Sequence, residues 1–583
     1  MINFLYSHWD SFFHDRTGVH GCQVAGYLRI GFAFLFLIDR VLLLVNSDYF
    51  FSPDTGLLPY RVSRRHYELV QYNQISIFAL FPESNAFVRI VSVIGILQGI
   101  IVLLGATKYP RFHLFGIYLN IMSFLNHNAL MWDGEDTMLR MWVILFLFFP
   151  LDHCTIHDRF GFVSHSSSSS LSSSWPMWIF RIFQIEMVII YMGASLGKLA
   201  DPYWRDGSAI YRISYGTEDY PGIYNPDFVF GRYGPLKLLC WTALLLESTC
   251  YIMVWIPSMR KLSVVLMIFL HIGIDLTMNM HIFEWLSCLG WCVFLIQPTV
   301  SAKMNETNVD EANGLGTKVM KAFINVFVAS FIFTVSLDAI PYEDIGELVP
   351  KAIKPAWERL NDQRTVLFSE IDLLITPIGL SQGGDWGMYT DVHVELTHSR
   401  IDALLANGTQ VNNIWRSPDW SKMSSWGRKF HSRSLNYYGD IHENKAELLR
   451  LVEMASKPFL ENGNTVDTLT FINEARTYKK HEMESSTGGF WGPVKKYPMD
   501  VRNEAKILVV QVRHCQDTLS AAVCARMIET HGCRSHLEQC GKSCLKECNG
   551  HYFLVKYWGG SPNYADYGHT NHHVLGGIYS DEL

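Results

Sequence analysis

The chain has 583 residues, a formal net charge of −7 and a mean hydropathy of +0.10. Charged residues make up 18% of it, against about 25% in ordinary soluble domains. The acidic balance excludes nucleic acid as a partner, and the hydropathy excludes an ordinary soluble enzyme.

The composition predicts an α-helical membrane protein with a C-terminal β-rich part. Long apolar runs concentrate in residues 1–340, and residues 341–583 are polar. A hydrocarbon core is crossed by about 20 apolar residues per helix. About nine such segments appear, at roughly 24–45, 86–105, 112–130, 137–151, 177–197, 236–256, 262–280, 283–298 and 319–340, the fourth and eighth being short. Residues 1–23 are polar and aromatic rather than signal-like, so the first span is expected to act as an uncleaved anchor.

Nine spans put the termini on opposite sides. With the N-terminus in the cytosol, Lys108, Arg111, Arg159, Arg260, Lys261, Lys303 and Lys318 fall in cytosolic loops, where short basic loops belong. Arg61, Arg64 and Arg65 oppose the rule from a longer luminal loop with acidic neighbours. The C-terminal tail is then luminal. Ser580-Asp581-Glu582-Leu583 resembles the address that returns luminal tails to the endoplasmic reticulum. Within this topology Asn407-Gly408-Thr409 is a luminal glycan acceptor and Asn305-Glu306-Thr307 a cytosolic one that stays bare. The Ser166–Ser174 run reads as a flexible cytosolic linker.

The tail divides into a β-rich domain over 341–500 and a cysteine-rich segment over 501–583. Strand-like alternation covers 385–416, with Asn407-Gly408 as a hairpin signal; Thr465–Ile472 and Ile507–Val512 are further strand candidates. Cys515, Cys524, Cys533, Cys540, Cys544 and Cys548 crowd one stretch. In an oxidising compartment such a cluster forms disulfides. The alternative is a zinc site, for which Cys540, Cys544 and Cys548 have helical spacing but no paired knuckle.

Chemistry is expected where polar groups end the spans. Asn126-His127-Asn128 and Asp133-Gly134-Glu135-Asp136 follow the third span. Lys198 ends the fifth and precedes Trp204-Arg205-Asp206-Gly207. His271, Asp275, Asn279 and His281 lie along and just beyond the seventh. Two readings stand for Lys198. In one it is a base, because burial disfavours its charged form and leaves a neutral amine. In the other it is a snorkelling anchor at a helix end. His127 and His271 suit acid–base, metal-ligand or helix-joining roles. Glu186, Glu247, Asp275 and Arg140 sit inside spans, where ionisable groups mark either function or structural pairing. No H-E-x-x-H, G-x-S-x-G or phosphate loop occurs.

These segments, in this order, resemble the horizontally transferred transmembrane domain family, best known from the vitamin K-dependent γ-carboxylase. The resemblance rests on Asn126-His127-Asn128 with Asp133-Gly134, on Tyr191-Met192-Gly193-Ala194 leading to Lys198-Leu199 and Trp204-Arg205-Asp206-Gly207, and on His271 through Met278-Asn279 to Phe283. A weaker match runs from Gln382 to Trp386-Gly387-Met388-Tyr389, and the whole covers about residues 20–440.

The resemblance implies a carbon–carbon lyase of the γ-glutamyl carboxylase kind at the luminal membrane face. Its cofactor would be reduced vitamin K or a related quinol, with O2 and CO2 as co-substrates and no metal. Its partners would be membrane lipid and a luminal polypeptide carrying the glutamate. Lys198 would be the initiating base, with His127 catalytic beside it. Asn126, Trp204, His271 and Asn279 would bind substrate. The rivals are a quinol epoxidase or oxygenase without carboxylation, and a scaffold or lipid-binding protein whose polar residues only join helices. A transporter fits less well, because the polar residues gather at one face rather than at midplane breaks.

Overall fold

A computed structural model describes residues 2–17, 19–52, 75–81, 84–105, 109–127, 134–149, 175–216, 227–278, 281–298, 315–339, 342, 345–346, 349–375, 395–405, 407–416, 466–477, 489–493, 505–515, 544–548, 551–560 and 572–573. The expectations for Asn128, Asp133, Asn279, Asn305, the serine run, Gln382–Tyr389, Cys524, Cys533, Cys540 and the C-terminal four residues lie outside them.

The first part is helical. α1 (Ile2–His14) is followed by α2 (Val19–Val45), α3 (Asn85–Leu104), α4 (Pro110–Leu125), α5 (Gly134–Phe146), α6 (Trp178–Ala200), α7 (Tyr233–Met253), α8 (Arg260–Thr277), α9 (Phe283–Trp291) and α10 (Leu315–Ala339). Local signals set the ends. Ser84 caps α3 by accepting from the Phe87 N–H at 3.1 Å, and Pro110 opens α4 at a position where its missing N–H costs nothing.

Among the described residues, four helices are long and apolar enough to cross a membrane: Asn85–Leu104, Trp178–Ala200, Tyr233–Met253 and Lys318–Leu337. α4, α5 and α9 are shorter, with 16, 13 and 9 residues. α2 carries Arg29, Asp39 and Arg40, and α8 carries Arg260, Lys261 and Asp275. The outward faces are apolar: Ile90, Ile94 and Leu97 of α3, Leu238, Trp241 and Leu245 of α7, Val265 and Phe269 of α8, and Phe323 and Val326 of α10 are all exposed. Apolar surface of this extent is what a helical protein presents to lipid.

α6 is the central helix. Of its apolar stretch 72% is buried, against 33% for α3 and α7 and 17% for Lys318–Leu337. Its own Phe180 and Phe183, with Trp142 of α5 and Trp291 of α9, have almost no exposed surface.

The tail holds one antiparallel sheet. Its strands are β3 (Glu395–Leu405), β4 (Gln410–Arg416), β5 (Val466–Thr477), β6 (Ala505–Cys515), β7 (Cys544–Cys548), β8 (His551–Gly560) and β9 (His572–His573), in the order β4-β3-β5-β6-β8-β7 with β9 on β8. (β1, Arg16–Thr17, and β2, Trp175–Pro176, pair apart from it.) The β3–β4 turn contains Asn407-Gly408. Gly408 takes φ +82°, and the Asn407 side chain accepts from the Thr409 N–H at 2.9 Å. β5 pairs with β6 from Thr468↔Arg513 to Arg476↔Ala505, so strands on either side of the expected boundary at 500 share one sheet. The polar stretch before the sheet is helical, as α11 (Lys354–Ile375).

Cys544 and Cys548 lie on a strand, so the helical spacing that favoured a zinc site does not operate there. β8 lies between β6 and β7, pairing Tyr552 with Cys515 and His551 with Cys548. Two strand spacings are about 9.6 Å, beyond the roughly 7 Å Cα limit for a disulfide. Cys515 is therefore not placed to bridge to Cys544 or Cys548.

The tail touches the helical part at the start of α7. The Tyr233 N–H donates to the Gly492 carbonyl at 3.0 Å, Arg232 Nη1 donates to the Trp491 carbonyl at 3.1 Å, and Arg232 forms a β-bridge with Pro493.

Candidate functional site

The last three turns of α6, the middle of α7, the second half of α8 and the first turn of α9 line a cavity of about 340 Å³. On α6 the lining residues Tyr191, Ala194 and Lys198 recur at spacings of three and four, which places them on one helix face. α7 adds Ala243, Leu246 and Glu247 by the same periodicity. α8 adds Leu270, His271 and Ile274, and α9 adds Phe283 and Glu284. The walls are mostly aliphatic and aromatic. The polar groups are few and converge, as in a small-molecule site.

Lys198 is buried and its Nζ donates to Glu247 Oε2; each side chain is 6% exposed. The Trp204 ring lies 5.2 Å from Nζ, a cation–π distance. This Lys198 neither snorkels to water nor stands alone. A carboxylate faces the amine that one of the two sequence readings makes a neutral base. A buried ammonium requires such a partner, and removing either member strands the other charge.

Trp204 owes its position to a short helix, Pro202–Asp206. The Asp201 carboxylate accepts from the Tyr203 and Trp204 N–H groups, Pro202 supplies the first turn, and Gly207 closes it at φ +82°. A side chain at Gly207 would also meet Lys237 Cγ at 2.4 Å. Trp241 Nε1 of α7 donates to the Arg205 carbonyl at 3.2 Å and ties this turn to the cavity wall. The Trp-Arg-Asp-Gly segment is thus a capped turn that sets an indole over the lysine.

His271 is bonded on both ring nitrogens. Nε2 meets the Tyr191 hydroxyl, and Nδ1 meets Glu284 Oε2. Tyr191, His271 and Glu284 are all buried and all line the cavity. The cavity therefore carries two proton-handling groups, Lys198–Glu247 and Tyr191–His271–Glu284.

Asn126 and His127 do not line it. Asn126 Nδ2 donates to the Ile75 carbonyl at 2.7 Å. The His127 ring is met edge-on by Phe51 and Phe78, with centroids 4.8 and 4.9 Å away. His281 Nδ1 pairs with Glu135 Oε1 at 2.9 Å, also away from the cavity lining. Lys198, Trp204 and His271 come together, and Asn126 and His127 stand apart from them. Asn407 is exposed in its turn.

Sequence reasoning missed Glu284. An acidic residue in the short eighth apolar segment was the available signal. Tyr191 and Glu247 were visible as residues but not as partners.

The chain matches no family model, no curated protein and no solved structure.

Proposed function

We propose that the protein is a membrane enzyme acting on a lipid-borne quinol, in the manner of the vitamin K-dependent γ-carboxylase. The observation that carries this reading is the apolar cavity with Lys198–Glu247 at one position and Tyr191–His271–Glu284 at another. An apolar chamber suits a flat, lipid-soluble ring, and the convergent polar groups suit its hydroxyls.

Lys198 begins the reaction. Its pair with Glu247 has two net-neutral forms, ammonium–carboxylate and amine–carboxylic acid. A dry site narrows the gap between them, because the charged form loses hydration there. In the second form the amine takes a quinol proton. When bound, the quinol supplies the reducing power. The protein binds it, orients it and excludes water. With O2 and CO2 as co-substrates, the quinol would supply the driving oxidation, leaving as its epoxide with one oxygen going to water, while a peptide glutamate gains a carboxyl group from CO2.

The proposed setting is the endoplasmic reticulum membrane, crossed about nine times, with the N-terminus cytosolic and the tail luminal. The tail's contact with Arg232 and Tyr233 supports one part of this. It brings the tail to the end of α7 whose Cys240 and Trp241 contact the Trp204–Arg205 turn, so a polypeptide held by the tail would meet the chamber from that side.

Purified protein given reduced vitamin K, oxygen, labelled bicarbonate and a glutamate peptide is expected to fix label and form epoxide. Epoxide without fixed label would make it a quinol epoxidase. Neither product, with Lys198→Ala unchanged in cellular function, would make it a scaffold.

A further inference from the structure

Tyr191 and Lys198 are seven residues apart on α6. Seven residues turn through about 700° and rise about 10 Å, so the two side chains share a helix face two turns apart. Both line the cavity, and each is backed by its own buried acid–base partner. Lys198 has the Glu247 carboxylate. Tyr191 has the His271 imidazole, which in turn has the Glu284 carboxylate on its other nitrogen. With Nδ1–H donating to Glu284, Nε2 is left as an acceptor and the Tyr191 O–H is the donor. This is the nucleophile–base–orienter geometry of a catalytic triad, with a phenol in the first place.

We infer that Tyr191–His271–Glu284 is a second base of the chamber, set at the end opposite Lys198–Glu247, and that the chamber takes a flat aromatic diol with one hydroxyl to each. The inference rests on the quinol reading above. The step is a proton transfer. The ligand's O–H bond breaks and its proton passes to the Tyr191 oxygen. The Tyr191 proton passes to His271 Nε2. The ligand is left as an oxyanion, and the imidazolium is held by the Glu284 carboxylate. A quinol has two hydroxyl protons to lose on oxidation, and the two groups provide one acceptor for each.

The test uses the whole protein in lipid nanodiscs, without oxygen, and tryptophan quenching to follow binding. The probes are 1,4-naphthalenediol and 1-naphthol. Wild type is expected to bind the diol about tenfold more tightly, the equivalent of about 1.4 kcal/mol for one added hydrogen bond. Tyr191→Phe and the double variant Lys198→Met/Glu247→Leu are each expected to abolish that preference while changing 1-naphthol affinity less than about threefold, since the single hydroxyl still has the other anchor. A structural defect would weaken both ligands together. When oxygen is admitted, the bound diol is oxidised to the quinone with formation of hydrogen peroxide. Glu284→Gln is expected to slow this about tenfold and leave binding intact.

Wild type that binds neither probe would overturn the quinol reading and this inference with it. Binding without a diol preference, or a preference that survives Tyr191→Phe, would overturn the inference alone. An oxidation rate unmoved by Glu284→Gln would overturn the relay and leave Tyr191 as an anchor.

Discussion

Two buried polar clusters look alike in sequence and differ in what surrounds them. One joins Lys198, Glu247, Tyr191, His271 and Glu284 around a cavity; the other set comprises the neighbours Asn126 and His127 and the ion pair of Glu135 with His281. Both consist of ionisable or amide groups near helix ends. The first borders empty space of about 340 Å³. In the second, Asn126 is spent on the Ile75 carbonyl and His127 is packed between two phenylalanines. Burial and polarity are common to both, so neither property alone distinguishes a reaction site from a helix joint. Lining the described cavity separates the first set from the second.

The contrast can be broken most forcefully at Lys198. Lys198→Met leaves Glu247 as an unpaired buried charge, and the expected loss is about 3–5 kcal/mol together with all turnover. Thermal unfolding in nanodiscs measures the first and the carboxylation assay the second. The double variant Lys198→Met/Glu247→Leu should recover most of the stability and none of the activity. Activity in the double variant would remove the first cluster from the chemistry.

Gly207→Ala should come next. It forces a side chain onto a left-handed residue and against Lys237, at a cost of about 1–3 kcal/mol. Because the turn holds Trp204 over Lys198, quinol affinity should fall with it. Stability lost without affinity would mean that the indole is not part of the binding wall.

Asn126→Ala sharpens the other side of the comparison. It deletes one buried hydrogen bond, worth about 1 kcal/mol, and turnover should stay within about threefold of wild type. A loss of a hundredfold or more would bring the second cluster back into the active site. The smallest effect belongs to Asn407. Asn407→Gln should remove one glycan, seen as a gel shift that glycosidase abolishes in wild type, with unfolding temperature and activity unchanged.

Much of this was legible in the chain. The apolar runs locate α2 through α10 because bilayer and bundle impose the same long apolar stretches. Lys198 stood out because an ammonium at the end of such a run needs a reason, and Trp204-Arg205-Asp206-Gly207 stood out by resemblance, though Asp, Pro and Gly also write caps and turns. The Asn407-Gly408 turn was readable on the same grounds. Pairings were not. Glu247 lies 49 residues from Lys198, and Tyr191 lies 80 from His271. Nothing local says which loop ends converge, so Asn126 and His127 were grouped with Lys198 by resemblance and shared depth. Glu284, second residue of the short eighth span, gave no local sign that it would meet His271. The sharing of one sheet by Val466–Thr477 and Ala505–Cys515 was hidden too, since strand neighbours are not chosen by distance along the chain.

The bond between Arg232 and the Trp491 carbonyl joins residues 259 apart. Closing so long a loop is entropically costly until both ends are already ordered, and α7 is synthesised long before residue 491 leaves the ribosome. The chamber's walls therefore assemble first and the strap fastens last. A polypeptide that halts short of the strap would keep the chamber but never clip the tail to it, so this junction reports that synthesis has passed residues 491–493.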